Sequence, residues 1–201
     1  MDFREFLLTQ HARTHSAGIA PSDLPLADML LEGISDDQLR RRPAPELNPI
    51  AWTVWHMARC EDVAMNLIVA EGQQVLDAGE WPDRMQVARR DIGTGMSEAE
   101  VTELCTRVVI AELFAYRTAV AQRTREILQA LDPASLDTIV DAAHIERVVA
   151  GGAFGPNAGW LAGYWQDRPR EYFLSFTVLG HSYTMLGEIA VVRGLLGVQG
   201  M

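Results

Sequence analysis

Asn48-Pro49-Ile50-Ala51-Trp52-Thr53-Val54-Trp55-His56-Met57-Ala58-Arg59-Cys60-Glu61-Asp62 decides the fold class. Asn48 is a capping residue type, and a proline just inside a helix start costs nothing because its missing N–H would be unpaired there anyway. Beyond it Ala51, Trp55, Ala58, Asp62, Met65 and Val69 recur at spacings of four and three, the seam of a bundle helix ending near Glu71-Gly72. A helix apolar on almost every side, as from Ile50 to Val69, must be covered by other helices or by a second copy of the chain.

Working outward, no alternating run bounded by hairpin signals occurs, so the class is all-α. A first helix is predicted from Phe3 to His15, and a second piece through Leu26, Met29, Leu30 and Ile34 ends near Ser35. The segment from Gln73 to Thr94, with Gly79, Pro82 and Gly93, reads as a connection with one short helix. Ser97 with Glu100 forms a capping box that opens a helix running with little interruption to Leu131. A short helix follows from Asp141 to Val149. The glycine- and aromatic-rich stretch from Ala150 to Trp165 cannot be one regular helix, and the last long helix spans Arg170 to Leu196. Residues 1–201 thus read as a single four-helix-bundle domain with extra short helices.

Bulk properties limit the partners. A formal net charge of -10 repels phosphate backbones and anionic headgroups, so neither nucleic acid nor membrane is expected as a partner. Cys60 and Cys105 stand far apart without a CxxC spacing, and the first residues lack the apolar run of a signal peptide, which together imply a cytoplasmic protein with reduced thiols. There is no GxSxG, P-loop, GxGxxG or HExxH pattern.

Chemistry-bearing residues are few. On the last helix Leu174, Val178, His181, Met185, Glu188, Val192 and Leu195 form one stripe, which turns His181 inward. His56 belongs to a second stripe with Trp52, Arg59, Val63 and Asn66. Imidazoles projecting inward from separate helices can hold a metal, or can be hydrogen-bonded core residues; the residue types leave both open. Asp62 is a ligand, an acid orienting a histidine, or a structural partner of Arg59. Cys60, one turn after His56, reads as a buried unreactive thiol. His11 and His15 have the spacing to share a metal, but among Gln10, Arg13, Thr14 and Ser16 they are expected to be solvent-exposed. His144 is a reserve candidate.

Asn48 to Asp62, together with Gly180-His181-Ser182-Tyr183-Thr184-Met185-Leu186-Gly187-Glu188-Ile189 and Arg193-Gly194-Leu195-Leu196-Gly197, resembles the second-helix and last-helix signatures of the DinB-like superfamily. That resemblance implies a four-helix bundle, commonly a homodimer, holding a divalent metal (zinc or nickel) through one histidine of the second helix and two residues of the last. It also implies thiol-dependent chemistry: S-transfer or isomerisation with a low-molecular-weight thiol of the mycothiol type, acting on a small-molecule substrate. His56 matches the second-helix ligand and His181 the first ligand of the last helix. Met185 stands at the third position, and a thioether binds zinc or nickel weakly. Glu188, Asp62 or His144 then remain as replacements. The alternative is a non-catalytic, metal-free bundle binding a small ligand or protein through Phe154, Trp160, Tyr164 and Trp165, aromatics that also suggest a lid over the histidines.

Overall fold

The computed structural model describes residues 2–198 as a helical bundle whose order follows the predicted one, with differences at the junctions. Helix α1 spans Phe3–Thr14 and is capped by the Asp2 carboxylate, which accepts from the Glu5 N–H at 2.8 Å. The expected second piece is two helices, α2 (Leu26–Leu31) and α3 (Asp36–Arg40). Gly33 turns the chain at φ +73°, and Ser35 with Gln38 closes a capping box, so the predicted stop is a restart.

Helix α4 spans Ile50–Asp62. Pro49, not Asn48, is its cap residue: no side chain caps the helix, and the first backbone bond runs from the Thr53 N–H to the Pro49 carbonyl. Every residue of α4 is buried within this one chain, so its all-round apolar character is explained by its central position and does not call for a second copy. It continues into a π-helical segment, Val63–Val69.

The connection carries two short helices, α5 (Val75–Ala78) and α6 (Trp81–Met85). The expected long helix is split into α7 (Glu98–Arg107) and α8 (Ile110–Ala130). The Ser97–Glu100 capping box opens α7 as predicted. Between the two, Val108 and Val109 are extended, and the Val109 N–H donates to the Met85 carbonyl at 2.9 Å; a tertiary bond outcompetes helical propensity there. Helix α9 (Ala142–Ala150) is capped by Asp141, and α10 spans Leu161–Trp165.

The last helix is continuous in outline: α11 (Arg170–Tyr172), a π-helical segment Phe173–Gly180, and α12 (His181–Leu195). Helix α4 packs along α8 and against α12, α1 packs on α8, and the two π segments pack on each other. Pairing between extended segments, among the described residues, is limited to one isolated bridge, Ile139–Pro169. No described helix is long and apolar enough to cross a membrane.

Candidate metal centre

His56 is held on both faces of its surroundings by the local sequence. Trp52, one turn earlier on α4, stacks on the imidazole at 4.7 Å between centroids and 11° between planes. The Ile92 carbonyl accepts from His56 Nδ1 at 2.5 Å. A carbonyl can only accept, so Nδ1 carries the ring proton in the neutral form and Nε2 is left as a lone pair.

The loop that delivers this carbonyl is built for the task. Gly93 sits at φ +81°, and a Cβ there would lie 2.4 Å from the Trp55 ring. The Asp91 carboxylate accepts from the Gly93 N–H, and the Ile92 N–H bonds the Ala153 carbonyl. Beneath the loop the fully buried Arg59 donates to the Arg90 and Asp91 carbonyls, to Gln74, to Asp62 and to the Tyr116 hydroxyl.

His181 opens α12 where the π segment ends, and its ring meets His56 edge-on, 5.0 Å between centroids at 76°. Cys60, one turn after His56, brings its Sγ to 3.7 Å from His56 Nε2. One donor atom from each of His56, Cys60 and His181 lies within 4.8 Å of the others. Burial lowers the His56 pKa and, with His56 nearby, brings His181 down to about 4. Burial also pushes the Cys60 thiol up to about 12, against the pull of Arg59. Both imidazoles are thus uncharged at neutral pH and able to donate lone pairs.

This donor set fits a borderline divalent cation. Nitrogen and sulfur donors suit zinc, and the 3.7 Å S–N separation is close to the ~3.6 Å expected for two such ligands on one tetrahedral ion. A coordinated thiol loses its proton, which would reverse the upward shift of Cys60.

The other candidates stand differently. Asp62 is structural: its carboxylate accepts from Arg59, Tyr116, Asn66 and the Val75 and Leu76 N–H groups. His144 bonds the Leu67 carbonyl and Arg147. Glu188 is on the exposed side of α12, and Met185 is buried in the apolar core. Cys60 is the residue that sequence reasoning passed over as a ligand, although its spacing of four from His56 was the available signal.

The exposed reading of His11 and His15 is overturned. Both rings are buried, and each contacts Glu61 of α4, His11 Nε2 at 2.8 Å and His15 Nε2 at 2.9 Å. Of their polar neighbours Thr14 is buried as well, and Gln10, Arg13 and Ser16 are half-buried. The aromatic stretch divides: Phe154 and Trp165 are core residues in edge-on contact, while Trp160 and Tyr164 pack on each other, 58 % and 57 % exposed. Neither Trp160 nor Tyr164 makes a ring contact with His56 or His181 among the described residues, and the stretch reaches the His56 loop through the Ala153 carbonyl, which accepts from the Ile92 N–H.

A solved structure described as a conserved protein of Enterococcus faecalis superposes with a TM-score of 0.69 over 99 % of both chains at 16 % identity, a likeness of fold. No curated protein sequence matches the chain. The family model described as the DinB superfamily matches residues 25–162, which include α4 and the loop that orients His56. The chain belongs to the DinB superfamily.

Proposed function

We propose that this chain is a divalent-metal-dependent thiol S-transferase or isomerase whose centre is His56, His181 and Cys60. The observation that carries the reading is the convergence of a buried imidazole, a half-buried one and a buried thiol from two helices within 4.8 Å. When bound, a zinc or nickel ion supplies Lewis acidity that makes a coordinated thiol nucleophilic at neutral pH. The chain's own residues do the positioning. The Ile92 carbonyl fixes the His56 tautomer, Trp52 fixes the ring plane, and His181, less buried than His56, provides the side from which a small thiol or substrate reaches the centre. Elemental analysis of tag-free protein tests the reading: near-stoichiometric metal supports it, and metal-free protein that takes up none on titration removes it.

A second reading, a metal-free bundle that binds a small ligand, is favoured by a separate cavity of about 710 Å3 lined by His15, Ile19, Met29, Phe114 and Arg117. It predicts ligand-dependent stabilisation that His181→Ala leaves unchanged. We further propose a homodimer, supported by the exposed Phe176, Val191 and Leu195 of the last helix, and a cytoplasmic setting, supported by the free buried thiols of Cys60 and Cys105. Light scattering should give twice the chain mass; a monomer mass at high concentration excludes the dimer.

A further inference from the structure

Five residues beyond His56 on α4, and next to Cys60 in sequence, Glu61 forms a buried trio with His11 and His15 that is left chemically unfinished. Relative exposures are 0 % for His11, 1 % for His15 and 2 % for Glu61, the ring centroids are 4.4 Å apart, and each ring addresses a different carboxylate oxygen: His11 Nε2 contacts Oε1 and His15 Nε2 contacts Oε2. The Glu61 carboxylate is buried with a ring nitrogen upon each of its oxygens. Both Nδ1 atoms are buried without a hydrogen-bond partner.

No placement of protons completes this cluster from the chain alone. With protons on Nε2, both rings donate to the carboxylate and two Nδ1 lone pairs are stranded. With protons on Nδ1, two Nε2 lone pairs face carboxylate oxygens, a repulsive contact. A doubly protonated ring still leaves its Nδ1–H unpartnered. A cation on the two Nε2 atoms would keep the ring protons on Nδ1 and replace the repulsive Nε2–carboxylate contact of that tautomer; what marks the site is three buried residues whose ligand atoms lie within 4.8 Å of one another.

We infer that His11, His15 and Glu61 form a second divalent-cation site, structural in role and suited to zinc. Two imidazoles and one carboxylate are three protein ligands, and the burial of all three side chains keeps a substrate from the remaining position. The N–O separations of 2.8 and 2.9 Å are those of hydrogen bonds; ligands on one tetrahedral zinc stand ~3.3 Å apart, so binding opens the trio by about half an ångström. The guanidinium of Arg117 attracts Glu61 and donates to the Thr14 carbonyl. The ion would clamp α1 onto α4, linking the first helix to the central one.

The inference stands apart from the reading of His56 and His181, and the test separates the two. Tag-free, metal-stripped full-length protein is titrated with zinc while long-range 1H–15N NMR follows the histidine ring nitrogens, in wild type, His181→Ala and His15→Ala. Zinc should move the His11 and His15 Nε2 signals to metal-bound positions in wild type and in His181→Ala alike. His15→Ala should weaken binding at this site at least tenfold and remove the zinc-dependent rise in melting temperature that survives in His181→Ala. Should His15→Ala fail to fold, the wild-type spectra decide alone: His11 and His15 ring signals that saturating zinc leaves unmoved overturn the site.

Discussion

His181 meets His56 edge-on at 5.0 Å although the two histidines come from the last helix and the central helix, and neither ring is placed by its own helix alone. His56 is turned by the Ile92 carbonyl and by Trp52, and His181 begins the α-helical part of a helix that enters as a π-helix. A π segment shifts every later side chain around the axis relative to a straight α-helix, and such segments recur where function sets the register. Here the two π segments pack on each other, and the second runs directly into His181.

The loop argument predicts a large effect from a small substitution. Gly93→Ala puts a Cβ at φ +81° and 2.4 Å from the Trp55 ring, so backbone strain and overpacking add to a loss of about 2–4 kcal/mol. Urea unfolding measures it. A loss below ~1 kcal/mol would mean that the loop shifts freely and that the Ile92 carbonyl is not a fixed orienting group.

Arg59 is predicted to be the strut under the same loop. Arg59→Leu leaves Asp62 and Tyr116 buried without their cation, and breaking a buried pair from one side costs about 3–5 kcal/mol. Chemical denaturation should show that loss, and the double variant Arg59→Leu with Asp62→Leu should recover part of it. An Arg59→Leu protein as stable as wild type would contradict the network.

Stability of metal-stripped protein should fall on acidification through the histidine range. His15, buried against Glu61, His11 and Arg117, and His181, buried against His56, are both held at about 4, against an ordinary value of 6.5. Between those values the unfolded chain binds more protons than the folded one, so stability is lost as pH drops from about 6.5 to about 4, by up to about 3 kcal/mol for each ring. Glu61, held low, adds a loss in the same direction below its ordinary 4.5. Urea midpoints at successive pH values check this; midpoints unchanged from pH 7 to 5 would contradict it.

Met185 lies one helical turn beyond His181 and is buried in the core. Met185→His adds an imidazole where the family resemblance expects a ligand, and should strengthen zinc or nickel binding at the His56–His181 centre by well over tenfold, each factor of ten being about 1.4 kcal/mol. Titration calorimetry on metal-stripped proteins measures the change, with His181→Ala abolishing it. Unchanged affinity in a folded variant would show that position 185 does not face the centre.

Features governed by neighbouring residues were legible in the sequence: the Ser97–Glu100 box, and the stripe before and after His181 in part, since Leu174, Val178, Met185 and Val192 are buried while Glu188 and Leu195 are exposed. Features governed by distant partners were not. The break at Val108–Val109 depends on the Met85 carbonyl, and the π segments leave no compositional mark. His11 and His15 looked exposed because Gln10, Arg13 and Ser16 surround them in sequence, whereas their burial depends on Glu61 across the bundle. Glu61 itself was hidden beside Asp62, whose carboxylate is wholly consumed in holding the connection.

The participation of Cys60 tests the centre most directly, since a thiolate ligand has a spectral signature that imidazole lacks. Cobalt(II) added to metal-stripped, tag-free protein should produce a thiolate-to-metal charge-transfer band in the near ultraviolet, saturating at one equivalent. The band should be absent from both Cys60→Ser and His181→Ala. A folded wild-type protein that gives no such band, or one that His181→Ala leaves intact, would contradict a centre built from His56, Cys60 and His181.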